Sequence, residues 1–261
     1  MDAEVVVTKR NRTLWIELNR PEVRNAIRPG VSKQVAAAVN DASEDPEVRV
    51  VVITGRGTSF CAGGDVKEMA KAFGEDRPDA GAVREMVRAF HHMIETIYEC
   101  EKPVIAAVNG PAMGAGCNLA LVCDMRIASD HAKFAEAFVH RGLTSDGGST
   151  YLLPRLVGDA KALELLILGD TIDAQEALRI GLVNKVVPHA ELVSATEALA
   201  ARLAQAPPYA AAMIKRGLRM GATATLHDAL ENEATTQALA MLGREHVEGV
   251  MAFLEKRAPK F

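Results

Sequence analysis

Apolar and polar positions alternate along Thr13-Leu14-Trp15-Ile16-Glu17-Leu18, which predicts a strand that Arg20-Pro21 ends. Between Val31 and Ala42 the period changes to that of a helix, with Val31, Val35, Ala38 and Val39 on one face. Val48 to Thr54 is a β-branched run bounded by Gly55-Arg56-Gly57 and reads as a buried strand. Asp79 to Cys100 predicts a long amphipathic helix carrying Val83, Val87, Phe90, Ile94, Ile97 and Tyr98. Lys102-Pro103 stops it before a second continuous apolar run, Val104 to Val108. Met125 to Ala128 and Leu182 to Val187 complete the predicted strands. Short apolar strands separated by helices imply parallel pairing through crossovers, hence an α/β fold. After His189 the pattern becomes purely helical. Leu192–Ala206, Tyr209–Met220, Leu226–Leu242 and Arg244–Glu255 are Ala-rich stretches broken by Pro207-Pro208 and glycines. The chain therefore divides into an α/β body, residues 1–190, and a helical region, residues 191–261, suited to packing on the body or on another subunit.

Composition narrows the classes. The chain has 261 residues, 49% hydrophobic and 25% charged, enough for one large domain with a substantial core. No apolar run approaches the roughly 20 residues that span a bilayer. The opening Met1-Asp2-Ala3-Glu4 lacks the layout of a secretory signal, so a cytoplasmic protein is expected. The net charge of −4, with no basic run, argues against nucleic acid as a partner. Cys61, Cys100, Cys117 and Cys123 have no C-x-x-C spacing and read as reduced thiols. Cys61 is more simply a small buried filler than a nucleophile. No His/Cys/Asp cluster has metal-ligand spacing.

Two Gly-rich turns follow buried strands. The first is Ser59-Phe60-Cys61-Ala62-Gly63-Gly64-Asp65-Val66. The second runs from Asn109 through Gly110-Pro111-Ala112-Met113-Gly114-Ala115-Gly116 to Cys117-Asn118. Neither is a nucleotide fingerprint: Leu119 stands where G-x-G-x-x-G needs its third glycine, and no G-K-[ST] follows. The residues alone leave two readings, a backbone site for an anionic group or tight packing.

Further motifs resemble those of the enoyl-CoA hydratase/isomerase (crotonase) family. Asn19-Arg20-Pro21 with Asn25-Ala26 is similar to the family's N-R-P-x-x-x-N-A segment, and Phe60 to Val66 to its F-x-A-G-x-D-[ILV] turn. Lys102 to Gly110 resembles its K-P-V-I-A-A-[VI]-N-G strand and turn. Asp170 to Val183 and the closing Phe253 to Pro259 also match, in family order, over almost the whole chain. The resemblance implies a spiral of ββα units whose C-terminal helices trimerise, often as a dimer of trimers. It implies an acyl-CoA thioester substrate and no cofactor apart from the CoA carried by that substrate. By family position, the backbone N–H groups of Gly64 and Ala115 would form an oxyanion hole for an enolate. Ala62, Asp65 and Val66 would hold the adenine end of CoA, with Arg24 and Lys256, from the same or a neighbouring subunit, as phosphate partners.

The sequence departs from the hydratase pattern where the reaction is decided. The two glutamates of the hydratases are replaced by Asn118 and Phe138, which would line the acyl pocket. Neither can manage a proton at neutral pH. Gly142 to Ser149, leading into Tyr151-Leu152-Leu153-Pro154-Arg155, resembles instead the segment of the 1,2-epoxyphenylacetyl-CoA isomerase branch, with Ser145 in place of the common proline. This implies Asp146 as the single base of an isomerase that shifts a double bond or rearranges an aryl epoxide. Read without the family, D-G-G-S makes Asp146 a helix N-cap. The alternatives are a hydratase with unusual acid–base residues and a non-catalytic acyl-CoA binder. Glu136, His140 and Arg141 are further candidates near the pocket, and His91-His92 read as a solvated or interface pair.

Overall fold

The two continuous apolar runs lie side by side at the centre of a sheet, where both faces are covered. The computed structural model describes residues 3–71 and 79–261; Met1 and Asp2 of the acidic N-terminus lie outside them. The body begins with β1 (Val5–Arg10), β2 (Thr13–Leu18), α1 (Pro29–Glu44), β3 (Val50–Gly55), α2 (Val66–Lys71), α3 (Ala80–Glu99) and β4 (Val104–Val108). It continues through β5 (Ala112–Met113), α4 (Ala115–Val122), β6 (Met125–Ser129), β7 (Lys133–Ala135), α5 (Ser149–Val157), α6 (Asp159–Leu168), β8 (Ile172–Asp173), α7 (Ala174–Arg179) and β9 (Lys185–Val187). Four helices close the chain: α8 (Leu192–Ala204), α9 (Pro208–Gly221), α10 (Leu226–Leu242) and α11 (Arg244–Leu254).

The main sheet has the order β1-β2-β3-β4-β6-β9 and is parallel except for the β1–β2 hairpin. Asn11 and Arg12 turn that hairpin with positive φ, as a two-residue hairpin turn requires. A small second sheet, β5-β7-β8, carries the second Gly-rich turn. The period of two sorts the core. Ile16, Leu18, Val51, Ile53, Val104, Ala106 and Val108 point into one cluster with α1, α3 and α4. Trp15, Val50, Val52, Ile105, Ala107 and Ile127 point to the other face, where Leu192, Ala200 and Ala204 of α8 cover them.

That packing lays the first helix of the region drawn from residue 191 on the body. Helix α8 seals one face of the sheet and belongs to the body, so the helices that stand apart begin at α9. Lys215 and Arg219 pin α9 to the body through Asp124, at 2.6 and 2.8 Å. Their apolar faces are largely uncovered: Leu218 is 79% exposed, Leu242 86% and Phe253 83%. Two expectations are corrected, and one strand is added. The predicted strand Leu182–Val187 is only Lys185–Val187, because Leu182 and Val183 are buried in a turn against α7. Strand β1 escaped notice, since only Val5 of it is buried. The first turns of α3 leave Val83 and Met86 exposed, so its apolar stripe meets the core only from Phe90 onward.

Candidate active site

The C-terminal ends of β3 and β4 feed the two Gly-rich turns, and these turns pair with each other. Cys61 bridges Ala112: its N–H donates to the Pro111 carbonyl at 3.1 Å, and its carbonyl accepts from Met113 at 2.9 Å. Glycine is required by this approach. A Cβ on Gly116 would stand 2.2 Å from the Cys61 carbonyl oxygen, and one on Gly63 2.6 Å from that of Met113. Gly64 forms a parallel bridge with Ile27 in which Gly63 accepts and Asp65 donates. The N–H of Gly64 therefore turns the other way. Ala115 is the first residue of α4, so its N–H has no intrahelical acceptor. Among the described residues neither N–H finds a backbone acceptor. Met69 lies against Gly64, and the Phe138 ring stands over Gly114. The turns thus present backbone donors beneath an apolar cover.

Asp146 approaches from the loop before α5. Its backbone carbonyl accepts from Asn118 Nδ2 at 2.9 Å and from the N–H and hydroxyl of Ser149 at 3.2 Å each. The next residue, Gly147, has φ of +56° and donates its N–H to His91 Nε2 at 3.3 Å. A Cβ there would meet the Phe90 ring at 2.4 Å. The N-cap of α5 is Gly148, and no side chain caps it. The capping reading of Asp146 therefore fails: it serves the helix through its carbonyl, while its carboxyl has a buried oxygen, Oδ1, without a partner. Burial pushes this carboxyl above the usual range, against a smaller opposing effect of His91.

A second carboxyl lies deeper. Glu136, just past β7, is 2% exposed, and its oxygens make no well-formed hydrogen bond, only weak contacts with the Cys117 thiol and the Asn118 amide that favour its ionised form less than burial disfavours it. Cys117 and Asn118 are its polar neighbours, and burial raises it to about 7. Asn118 and Phe138 both lie at this site. Asn118 is fully buried, and its Oδ1 is also without a partner.

The other predicted residues divide. Arg24 is exposed in a left-handed conformation, and its carbonyl accepts from Ala62 at 2.9 Å, so it borders the first turn. Val66 is half exposed beside it. The Asp65 side chain is structural, bound to Arg20 at 3.1 Å and to the Lys67 N–H at 3.2 Å, and its backbone is engaged as well, with the N–H donating to Ile27 and the carbonyl accepting from Met69, each at 3.0 Å. Lys256 is exposed on a tail that packs along α11 and ends beside Arg12, at the start of β2. Arg24 lies past the other end of that strand. His140 donates its Nε2–H to the Leu168 carbonyl, 2.8 Å away, and both it and Arg141 are on the surface. His91, read as a solvated or interface residue, instead touches the Asp146 loop, a contact without a local signal because it joins residues far apart in the chain. Glu136 had one signal, a lone acid between Phe134 and Phe138. Burial raises the Cys61 thiol to about 12, which leaves it no nucleophilic character. A cavity of about 870 Å³ lined by Arg49, His92, Lys102 and Tyr209 opens at the other end of the sheet and includes none of the candidate site residues.

The fold thus brings together two paired Gly-rich turns, whose Gly64 and Ala115 N–H groups find no backbone acceptor, and buried carboxyl oxygens on neighbouring elements. The sequence profile of the enoyl-CoA hydratase/isomerase family matches residues 8–261, and the chain belongs to that family, whose members act on CoA thioesters. It is 38% identical to a crotonyl-CoA hydratase of Syntrophomonas wolfei, over 98% of this chain and 97% of that one. It is 37% identical to the 1,2-epoxyphenylacetyl-CoA isomerase of Escherichia coli, over 95% and 94%. The crystal structure of an enoyl-CoA hydratase from Polaromonas superposes with a TM-score of 0.94 at 36% identity, covering 98% of each chain, so the fold is that of the crotonases.

Proposed function

We propose that this protein is an acyl-CoA isomerase that moves a proton with a single carboxylate, Asp146. The observation that carries the reading is the Asp146 carboxyl itself: partly buried, without a partner for Oδ1, relieved of capping, and carried on a loop whose backbone is held by Asn118 and His91. The thioester oxygen would rest on the N–H groups of Gly64 and Ala115. Asp146 takes a proton from the carbon beside the thioester carbonyl, and the resulting enolate is stabilised by both donors and by the N-terminus of α4. Returning the proton two carbons further along shifts a double bond. The same base and oxyanion hole suit rearrangement of an aryl epoxide. Asn118 and Phe138 cannot supply the two-glutamate chemistry of hydration.

CoA would lie along Arg24 and the backbone of Ala62 to Val66. Lys256 reaches a CoA phosphate only from a neighbouring subunit, since in its own chain it sits on the tail that ends beside Arg12. The exposed apolar faces of α9 to α11 suit such an assembly, a trimer or a dimer of trimers. A second reading, hydration by Glu136 with Asp146, is favoured by the burial of Glu136 beside the site. An ultraviolet assay with trans-2-, cis-3- and trans-3-enoyl-CoA separates the two. Interconversion of the 3-enoyl and 2-enoyl esters supports the isomerase; water addition to the 2-enoyl ester without interconversion supports the hydratase.

A further inference from the structure

The loop that carries Asp146 runs along one stripe of α3 and meets it turn by turn. Phe90, Ile94 and Tyr98 follow one another at intervals of four residues, so they share that stripe. A Cβ on Gly147 would stand 2.4 Å from the Phe90 ring, and one on Gly148 3.9 Å from Ile94 Cγ2. Further along, the Tyr151 ring meets Tyr98 edge to face, with centroids 6.3 Å apart and planes at 84°. Gly147 and Gly148 have no side chains with which to hold their places on α3. Tyr151 has one, and it sits in the turn that opens α5 with Ser149, whose N–H and hydroxyl hold the Asp146 carbonyl.

A guanidinium closes the tyrosine pair at each end. That of Arg155 lies 3.6 Å from the centre of the Tyr151 ring, and its Nη1 donates to the Tyr151 carbonyl at 2.7 Å. That of Arg219, on α9, lies 4.1 Å from the centre of the Tyr98 ring. Arg219 is itself fixed, because it binds Asp124 at 2.8 Å. Asp124 also accepts from Lys215 and from the Val104 N–H, at 2.6 and 2.7 Å. Ring faces attract both cations and the edges of other rings. A continuous set of contacts thus runs from α9 through Tyr98 and Tyr151 to the turn that holds Asp146.

We propose that Tyr98 and Tyr151 are positioning residues that set the register of the Asp146 loop along α3, and that Arg219 ties this register to the docking of α9. The inference rests on the reading of Asp146 as the proton shuttle. Proton transfer tolerates little misplacement: about 1 Å at the reacting atoms costs on the order of 10²-fold. Releasing Tyr98 leaves Asp146 in the chain but removes the outermost of its loop's contacts with α3. The base is then aimed less often, so kcat falls while KM, which does not depend on where the base points, stays nearly constant.

The test measures kcat and KM of the full-length protein on a 3-enoyl-CoA ester, and follows hydrogen exchange of residues 143–151 by mass spectrometry. Y98L should lose roughly 10- to 100-fold in kcat at nearly constant KM, with faster exchange in the loop. Y98F keeps the ring and should match the wild type in both. R219K keeps a cation for Asp124 but loses the flat guanidinium over Tyr98, and a loss of roughly threefold in kcat is expected. Arg219 reaches Tyr151 through Tyr98, so the R219K and Y151L losses should not add, and the double variant should be no slower than Y151L. If Y98L fails to fold, this cycle decides alone. Additive losses, wild-type exchange in Y98L, or a Y98F as slow as Y98L overturn the proposal. A Y98L that melts earlier but keeps the wild-type kcat also overturns it. Full activity of D146N sinks the underlying reading of Asp146 instead, and the exchange rates still report whether the tyrosines hold the loop.

Discussion

The ends of the central strands and the last three helices are incomplete in opposite ways. At the strand ends, among the described residues, two backbone N–H groups find no backbone acceptor, and buried oxygens of Asp146, Glu136 and Asn118 make no well-formed hydrogen bond. On α9 to α11, apolar groups are outside without cover, from Ile214 and Leu218 through Leu242 to Phe253. Buried polar groups are costly unless something binds them. Exposed apolar area is costly unless something packs on it. On the reading proposed above, the first region takes a polarised small molecule that comes and goes, and the second a protein surface that stays.

The contrast can be broken from either side. The largest effect is expected on the helical side: placing charges at Leu218, Leu242 and Phe253 together should abolish the proposed oligomer. Light scattering checks this, and a triple variant of unchanged mass would contradict it. At the strand ends, Gly116→Ala puts a methyl 2.2 Å from the Cys61 carbonyl oxygen. Overpacking of this kind costs about 1–3 kcal/mol and would pull the two turns apart. A lowered melting temperature with weakened acyl-CoA affinity is the expected result. Hydration of crotonyl-CoA should fall well below the roughly 10 s⁻¹ of a median enzyme, because Asn118 and Phe138 hold no titratable proton; the absorbance of the enoyl thioester follows it.

The smallest effect concerns stability against pH. Burial raises Glu136 from 4.5 to about 7. A raised carboxyl stabilises the fold fully below its unfolded value and loses that contribution as pH rises through the folded one. Wild-type melting temperature should therefore drop between about pH 4.5 and 7 relative to Glu136→Gln. The variant should be a few degrees the more stable at pH 8 and nearly equal at pH 4.5. Equal melting temperatures at both values would contradict the burial of an ionisable acid.

The two regions also differed in how much of them could be read from sequence. Helix α10 matches its predicted span residue for residue, and α9 and α11 lie within a residue at either end, because helix period, proline and glycine are local signals. The central strands β3 and β4 were visible as continuous β-branched runs for the same reason. The site was only partly visible. Its glycines could be read, since close backbone approach leaves a mark in the sequence itself. The link from His91 to Gly147 and the enclosure of Glu136 could not, because each is made by elements distant in the chain. The tertiary structure also removed a local reading: D-G-G-S suits an N-cap, yet Gly148 takes that place and the Asp146 carboxyl stays free of it.

The central claim, that Asp146 moves the proton, is tested most directly by Asp146→Asn. Asparagine keeps the size and leaves the backbone carbonyl that binds Asn118 and Ser149 in place. Loss of a general base typically costs about 10²–10⁴-fold in rate. Isomerase rate, acyl-CoA affinity and melting temperature, measured on one preparation of each protein, give the answer. A rate lowered by that factor with affinity and melting temperature intact is the predicted result; an Asp146→Asn enzyme as fast as the wild type would contradict it.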